Sequence, residues 1–217
     1  MKYRFDPRSW HRWLEQQDQA WRPLAVRPRV TAEASRARGL SSFPVHSGRV
    51  AFLFDFSGSM WTEDAEGRTP KDVIEVELRR ALEALPEDTR FNLIPFTYAP
   101  LPWRPALVPA TSRNIQGALK FFGGCNARGR GNFYDAALLA LADPEVDTLV
   151  VLTDGVPTGG THNLLDLVVP LLLHQNRLRG VTIEALLVGA PPGVRRRWEE
   201  LARATGGSAV PVQLDGL

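Results

Sequence analysis

Residues 52–61 read FLFDFSGSMW. An apolar run of strand length stops at Asp55, and hydroxyls follow at Ser57 and Ser59. Asp, Ser and Gly together can serve a simple turn, because their short side chains bond the local backbone. A second apolar run ends in the same way about a hundred residues later, where DTLVVL (147–152) leads into TDGVPT and places Asp154 just past the run. Two continuous apolar strands, each ending in an acid, belong to a sheet buried on both faces with polar groups gathered along one rim.

Working outward from these strands, the pattern alternates. TPKDVIEVELRRALEAL (69–85) opens with Thr69 and Pro70, a helix start, and sets Val73, Val76, Ala81, Leu82 and Leu85 on one face. RFNLIPF (90–96) is a strand whose Pro95 predicts an edge position or a bulge. NIQGALKFF (114–122) and NFYDAALLALAD (132–143) are helices, separated by a Gly-rich loop. HNLLDLVVPLLLHQNRLRG is a long amphipathic helix with a kink expected at Pro170. VTIEALLVG, a helix from Val194 to Ala204, and a last strand SAVPVQL close the chain. Alternation of this kind predicts an α/β fold: a three-layer α/β/α, Rossmann-like sandwich around a mostly parallel sheet.

The N-terminal part differs. After Asp6-Pro7, a second helix-start signal, Trp10, Trp13, Leu14, Trp21 and Leu24 fall near one face, and RPRVTAEASRARGLSS shows no period. Residues 1–42 are therefore read as a Trp-rich helical arm and linker, and 43–217 as the folded domain. Residues 1–40 hold nine Lys/Arg against four Asp/Glu. A basic arm suits an anionic partner, but such segments are more often solvated flanks, and no nucleic-acid motif accompanies it.

Bulk properties exclude several classes. The chain has 217 residues, 44% hydrophobic and 23% charged, which suits one soluble domain with appendages. No stretch approaches the ~20 apolar residues of a membrane span, and MKYRFDPRSWHRW lacks the apolar region of a secretory signal. A single cysteine, Cys125, forms no internal disulfide framework and fits a reducing, cytoplasmic setting.

An all-oxygen set of Asp55, Ser57, Ser59 and Asp154 suits a hard cation such as Mg²⁺, with Mn²⁺ or Ca²⁺ as alternatives; no thiolate or imidazole stands in these motifs to favour zinc. DFSGS resembles the D-x-S-x-S motif of von Willebrand factor A (VWA) domains, the first element of their metal-ion-dependent adhesion site (MIDAS), and TDG resembles its third. The resemblance covers about residues 45–212, and the order W-x-x-W, VHSGRVAFLFDFSGSM, DTLVVLTDGVPT is similar to bacterial VWA domains. It implies Asp55, Ser57, Ser59 and Asp154 as metal ligands, with a partner's Asp or Glu completing the coordination in a protein–protein contact, within a larger protein or complex. Gly131, Arg130, Asn132 and Thr158 form the rim. The family's second loop commonly reads G-G-T-N, with the Thr hydroxyl on the metal; here it reads Gly129-Arg130-Gly131-Asn132. A ligand is missing, and Arg130 stands where it could satisfy the acids in place of a cation. A metal-free scaffold of the same fold is therefore the alternative.

Enzymatic readings are weaker. Ser57 or Ser59 with His162 and Asp154 can be drawn as a hydrolase triad, but the G-x-S-x-G elbow is absent. GGCNARGRGN could cradle an anion at a helix start, yet it matches neither a Walker A loop nor a dinucleotide fingerprint. If the tryptophan face of residues 6–24 packs on the domain or on a partner, deleting it will lower the melting temperature or cause self-association. Unchanged melting and light scattering would refute that docking.

Overall fold

A computed structural model describes residues 47–65 and 67–212, so the Trp-rich arm and its linker lie outside the described residues. The first strand, β1 (Arg49–Asp55), ends at the acid that the sequence singled out, and a short 3₁₀ turn (Gly58–Trp61) follows. Helix α1 (Pro70–Glu83) starts as expected: Thr69 accepts from the Asp72 amide while Asp72 accepts from the Thr69 amide, with Pro70 at the first helical position. Strand β2 (Arg90–Phe96), a two-residue strand β3 (Val108–Pro109), and helices α2 (Ser112–Gly124) and α3 (Phe133–Ala142) come next. Strand β4 (Thr148–Thr153), helix α4 (Leu165–Asn176), strand β5 (Thr182–Val188), helix α5 (Pro192–Thr205) and strand β6 (Ala209–Val212) complete the order.

The six strands form one sheet in the order β3-β2-β1-β4-β5-β6, parallel except for β3. Alternate residues of each strand enter opposite cores. Val50, Phe52 and Phe54 of β1 and Val150 and Leu152 of β4 pack with Ile74 and Leu78 of α1 and Phe122 of α2. Ala51, Leu53, Leu149 and Val151 pack on the other side with α3, α4 and α5, the last through Trp198 and Leu201. This is the expected three-layer sandwich. Among the described residues no helix is long and apolar enough to cross a membrane.

Two details differ from the sequence reading. The buried face of α1 runs through Val73, Ile74, Leu78, Ala81 and Leu82, and Val76 is only half-buried, because the helix rotates to seat Ile74 and Leu78 on β1 and β2. Strand β2 is not an edge strand, since β3 lies outside it. Yet β3 pairs only with Arg90 and Phe91, and the Pro95 carbonyl accepts from the Leu101 amide of a loop at 2.8 Å. Proline thus sits where the ladder has already ended on the outer side, so no sheet bond is lost. Helix α4 continues through Pro170 as one element.

Leu53 is 0% exposed and Leu139 is 39% exposed. Leu53→Ala should therefore cost about 2–5 kcal/mol in denaturant melts, and Leu139→Ala less than about 1 kcal/mol.

Candidate functional site

Strand order reverses between β1 and β4: the chain winds outward from β1 through β2 in one direction and from β4 through β5 in the other. Loops leaving the carboxyl ends of these two strands must diverge, and the crevice between them is where ligands bind in open α/β sheets. Asp55 ends β1 and Asp154 follows β4, so both acids reach this crevice together with Ser57 and Ser59.

Asp55 is 2% exposed. One of its carboxylate oxygens accepts from the Ser57 amide at 2.8 Å and the other from the Thr153 hydroxyl at 2.6 Å. No Lys or Arg among the described residues pairs with it. Burial, with a smaller contribution from the nearby Asp154 charge, pushes its pKa up to about 6 against the pull of the Thr153 and Ser57 hydrogen bonds. The Ser57 and Ser59 hydroxyls are 3.1 Å apart, and Ser59 donates to Asp154. Octahedral oxygens about 2.1 Å from a Mg²⁺ ion stand about 3 Å from one another. The serine pair already has that spacing, so the donor set fits a small hard cation. Among the described residues no three His, Cys, Asp or Glu side chains come together, so a cation here must rely on hydroxyl and water oxygens besides the two acids.

Loop 1 (56–69) rests on aromatic rings. Phe56 stacks edge-on with Phe122 at 5.3 Å and with Trp61 at 5.7 Å, which turns Ser57 and Ser59 away from the core. Loop 3 (154–164) is pinned by the Trp198 indole, which donates to the Gly155 carbonyl at 2.8 Å. Gly155 itself has φ 92°, and a Cβ there would lie 2.7 Å from the Val194 side chain. The glycine of TDG is thus needed for backbone and for space alike.

Loop 2 (125–132) carries the departure from the family pattern. A Cβ on Gly131 would lie 3.3 Å from both carboxylate oxygens of Asp55. Position 131 therefore faces the acid, and its missing hydroxyl is missing at the site itself. Thr158 clamps this residue: its hydroxyl accepts from the Gly131 amide at 2.8 Å, and its amide donates to the Gly131 carbonyl at 3.1 Å. Asn132 caps α3 and donates to the Tyr98 carbonyl at 2.9 Å. Arg130 does not lie between the acids. It is exposed, its stem runs along Gly159, and it forms no ion pair among the described residues; the Ser57 and Ser59 hydroxyls occupy that region instead.

The drawn triad does not assemble. His162 packs edge-on against Tyr134 at 4.8 Å and neighbours Asp135, while the serines bond one another and Asp154. Sequence reasoning missed Thr153, the inward-facing last residue of β4, which holds Asp55 and also accepts from the Gly155 amide. The available signal was a hydroxyl closing an otherwise apolar buried strand, directly before Asp154.

A family model described as the von Willebrand factor type A domain matches residues 48–210. Over 137 residues the chain is 35% identical to human inter-alpha-trypsin inhibitor heavy chain H4, covering 58% of this chain and 14% of that protein. It is 36% identical over 124 residues to bovine heavy chain H3, covering 52% and 13%. The match thus spans about a seventh of the length of these relatives. Among solved structures, a von Willebrand factor type A protein from Catenulispora acidiphila superposes with a TM-score of 0.62 at 18% identity, over 76% of this chain and 38% of that one. The protein BatB from Bacteroides thetaiotaomicron gives 0.58 at 15%, over 76% and 90%.

Burial of Asp55 has a consequence for stability in chelating buffer. Its folded pKa, about 6, lies above the ordinary 3.8, so the folded chain holds the proton more tightly than the unfolded one. That contribution to stability is complete below the unfolded value and is lost as pH rises through about 6. Wild type should therefore lose roughly 2 kcal/mol relative to Asp55→Asn between about pH 4 and pH 7, read from urea melts at each pH. A pH-independent difference would refute the assignment.

Proposed function

The chain belongs to the von Willebrand factor type A family, whose domains are protein-interaction modules, and from that premise we propose that it binds a protein partner through a divalent cation. Asp55, Ser57, Ser59 and Asp154 hold the ion, Mg²⁺ first and Mn²⁺ or Ca²⁺ as alternatives. Bound there, the cation supplies a Lewis-acidic position for a partner's Asp or Glu. The observation that carries this reading is the pair of hydroxyls 3.1 Å apart beside a buried carboxylate that no described cation balances. Two acids at one rim repel each other, and the Ser59 hydrogen bond offsets only Asp154.

The chain's own residues set the terms of binding. Thr153 and the Ser57 amide orient Asp55, leaving its remaining lone pairs for the ion. Gly131 contributes no oxygen, so water takes that position, which Mg²⁺ tolerates. The module is not an enzyme in this reading, since among the described residues no histidine stands beside either serine. It works inside a larger protein or complex, in keeping with the length of its relatives, and the single cysteine suits the cytoplasm. A metal-free scaffold is the competing reading, favoured by the way Ser57, Ser59 and Asp154 already satisfy one another.

Titration calorimetry with Mg²⁺ and Mn²⁺ separates the two. Asp55→Ala should eliminate binding. Gly131→Thr should tighten it, provided the Asp55 carboxylate yields the few tenths of an ångström that a Cβ at 3.3 Å demands. Arg130→Gly should tighten it about two- to threefold, the scale of one exposed charge. Equal affinity in wild type and Asp55→Ala would place any cation elsewhere and favour the scaffold.

A further inference from the structure

Loop 2 carries two arginines that the cation site does not use. Gly129 forms a parallel bridge with Ser57, so the segment is extended there, and the Gly58 amide donates to the Gly129 carbonyl at 3.0 Å. In an extended segment, residues two apart project to the same side about 6.6–6.8 Å from one another. Gly129 and Gly131 turn inward: a Cβ at Gly129 would meet the Tyr98 ring at 2.6 Å, and one at Gly131 would meet Asp55. Arg128 and Arg130 take the alternate positions and are exposed.

Both arginines are held in place. The Arg128 guanidinium sits 4.4 Å from the Trp61 ring centroid, which ties it to loop 1. The Arg130 stem lies along Gly159 of loop 3, where a Cβ would approach the Arg130 Cβ to 2.6 Å. Neither makes an ion pair among the described residues. Loops 2 and 3 contain no acid other than Asp154. Loop 1 carries Glu63, Asp64 and Glu66, Asp64 is engaged by Arg68, and Asp135 of α3 accepts from the Thr161 amide of loop 3. The two arginines stand on the outward side of loop 2, facing away from Asp55, and border the cation site. Once a divalent ion balances Asp55 and Asp154, Arg128 and Arg130 stand at the edge of the site as cations without an ion pair among the described residues.

We propose that Arg128 and Arg130 select the partner: the surface takes an extended acidic segment with carboxylates at alternate positions, one for the cation and the next for the guanidinium groups of loop 2. The inference rests on the cation-dependent reading above. In an extended partner the next carboxylate on the same side lies about 6.6–6.8 Å from the one on the cation, and Arg130 directly precedes Gly131, the position that faces Asp55. Guanidinium groups pair with carboxylates in two-pronged fashion, so partly immobilised arginines discriminate better than flexible lysines would. Tyr98, 68% exposed on the same rim, offers an apolar contact beside them.

The test uses two fluorescent peptides in a Gly-Ser background, one with a single Glu and one with Glu-Gly-Glu, followed by anisotropy in Mg²⁺ and in chelator. Wild type should prefer the two-acid peptide, and each of Arg128→Gln and Arg130→Gln should reduce that preference about fivefold, the scale of an exposed ion pair. The preference should fade near 1 M salt, where screening acts within about 3 Å. Arg130→Gln should also tighten Mn²⁺ in calorimetry while losing peptide selectivity, an opposed pair of effects that a merely structural arginine would not give. Equal Mg²⁺-dependent binding of both peptides by wild type overturns the selectivity and leaves the cation reading standing. Binding of neither peptide in Mg²⁺, or binding unchanged in Asp55→Ala, overturns the cation reading and this inference with it.

Discussion

Parallel pairing of β1 with β4 is the constraint on which the rest of the molecule depends. Val50 to Phe54 lie in register with Thr148 to Leu152, and these strands were separated by nearly a hundred residues of chain before they met. That register carries Asp55 and Asp154 to the same rim. It also commits the intervening helices to opposite faces, because right-handed crossovers from a central strand to either side can pack back on the sheet only that way. Every feature of the crevice, from the Ser59–Asp154 bond to the clamp on Gly131, is downstream of it.

Holding a carboxylate as buried as Asp55 runs against the preference of ionised groups for water. The fold meets that cost locally with two hydrogen bonds and leaves it partly unmet, which is visible in the raised pKa. Structural acids in this chain are treated differently. Glu184, equally buried, receives both the amide and the hydroxyl of Ser208 on one oxygen. Asp135 is desolvated too, yet hydrogen bonds from Asn132 and Thr161 hold it below the ordinary carboxylate range. Asp55, unlike Asp135, is kept above that range, as expected where a group is shaped for something other than the resting fold.

The three loops are supported unequally. Loop 1 lies on the Phe56, Phe122 and Trp61 rings, and loop 3 hangs from Trp198, so both borrow rigidity from the two cores on either side of the sheet. Loop 2 has no comparable anchor of its own. It is tied to loop 1 through Gly129, to loop 3 through Thr158, and to the residue just past β2 through the Asn132 amide on the Thr97 carbonyl. Substitution in loop 2 therefore alters the surface of the crevice with little effect on the sandwich, and this is where the chain departs from the expected G-G-T-N.

Much of this was legible in the sequence. Period and length located β1, β4, β5 and most helices, because burial on both faces makes their strands continuously apolar and the helix starts carry Thr69-Pro70 and Asn132. The motifs DFSGS and TDG marked the rim, since a strand that ends in an acid shows it within a few residues. Other features are properties of contacts between distant segments, and no local pattern encodes them. Strand β3 is two residues long and exists only because β2 offers it a partner. The rotation of α1 that buries Ile74 in place of Val76 follows from the sheet beneath it. The direction of Arg130, away from the acids and along Gly159, depends on loop 3 being there to receive it. Sequence by itself determined which groups stand at the ends of the strands, because that is a matter of neighbours along the chain. Tertiary structure alone decided which of them face one another, because side-chain direction is set by packing across the crevice.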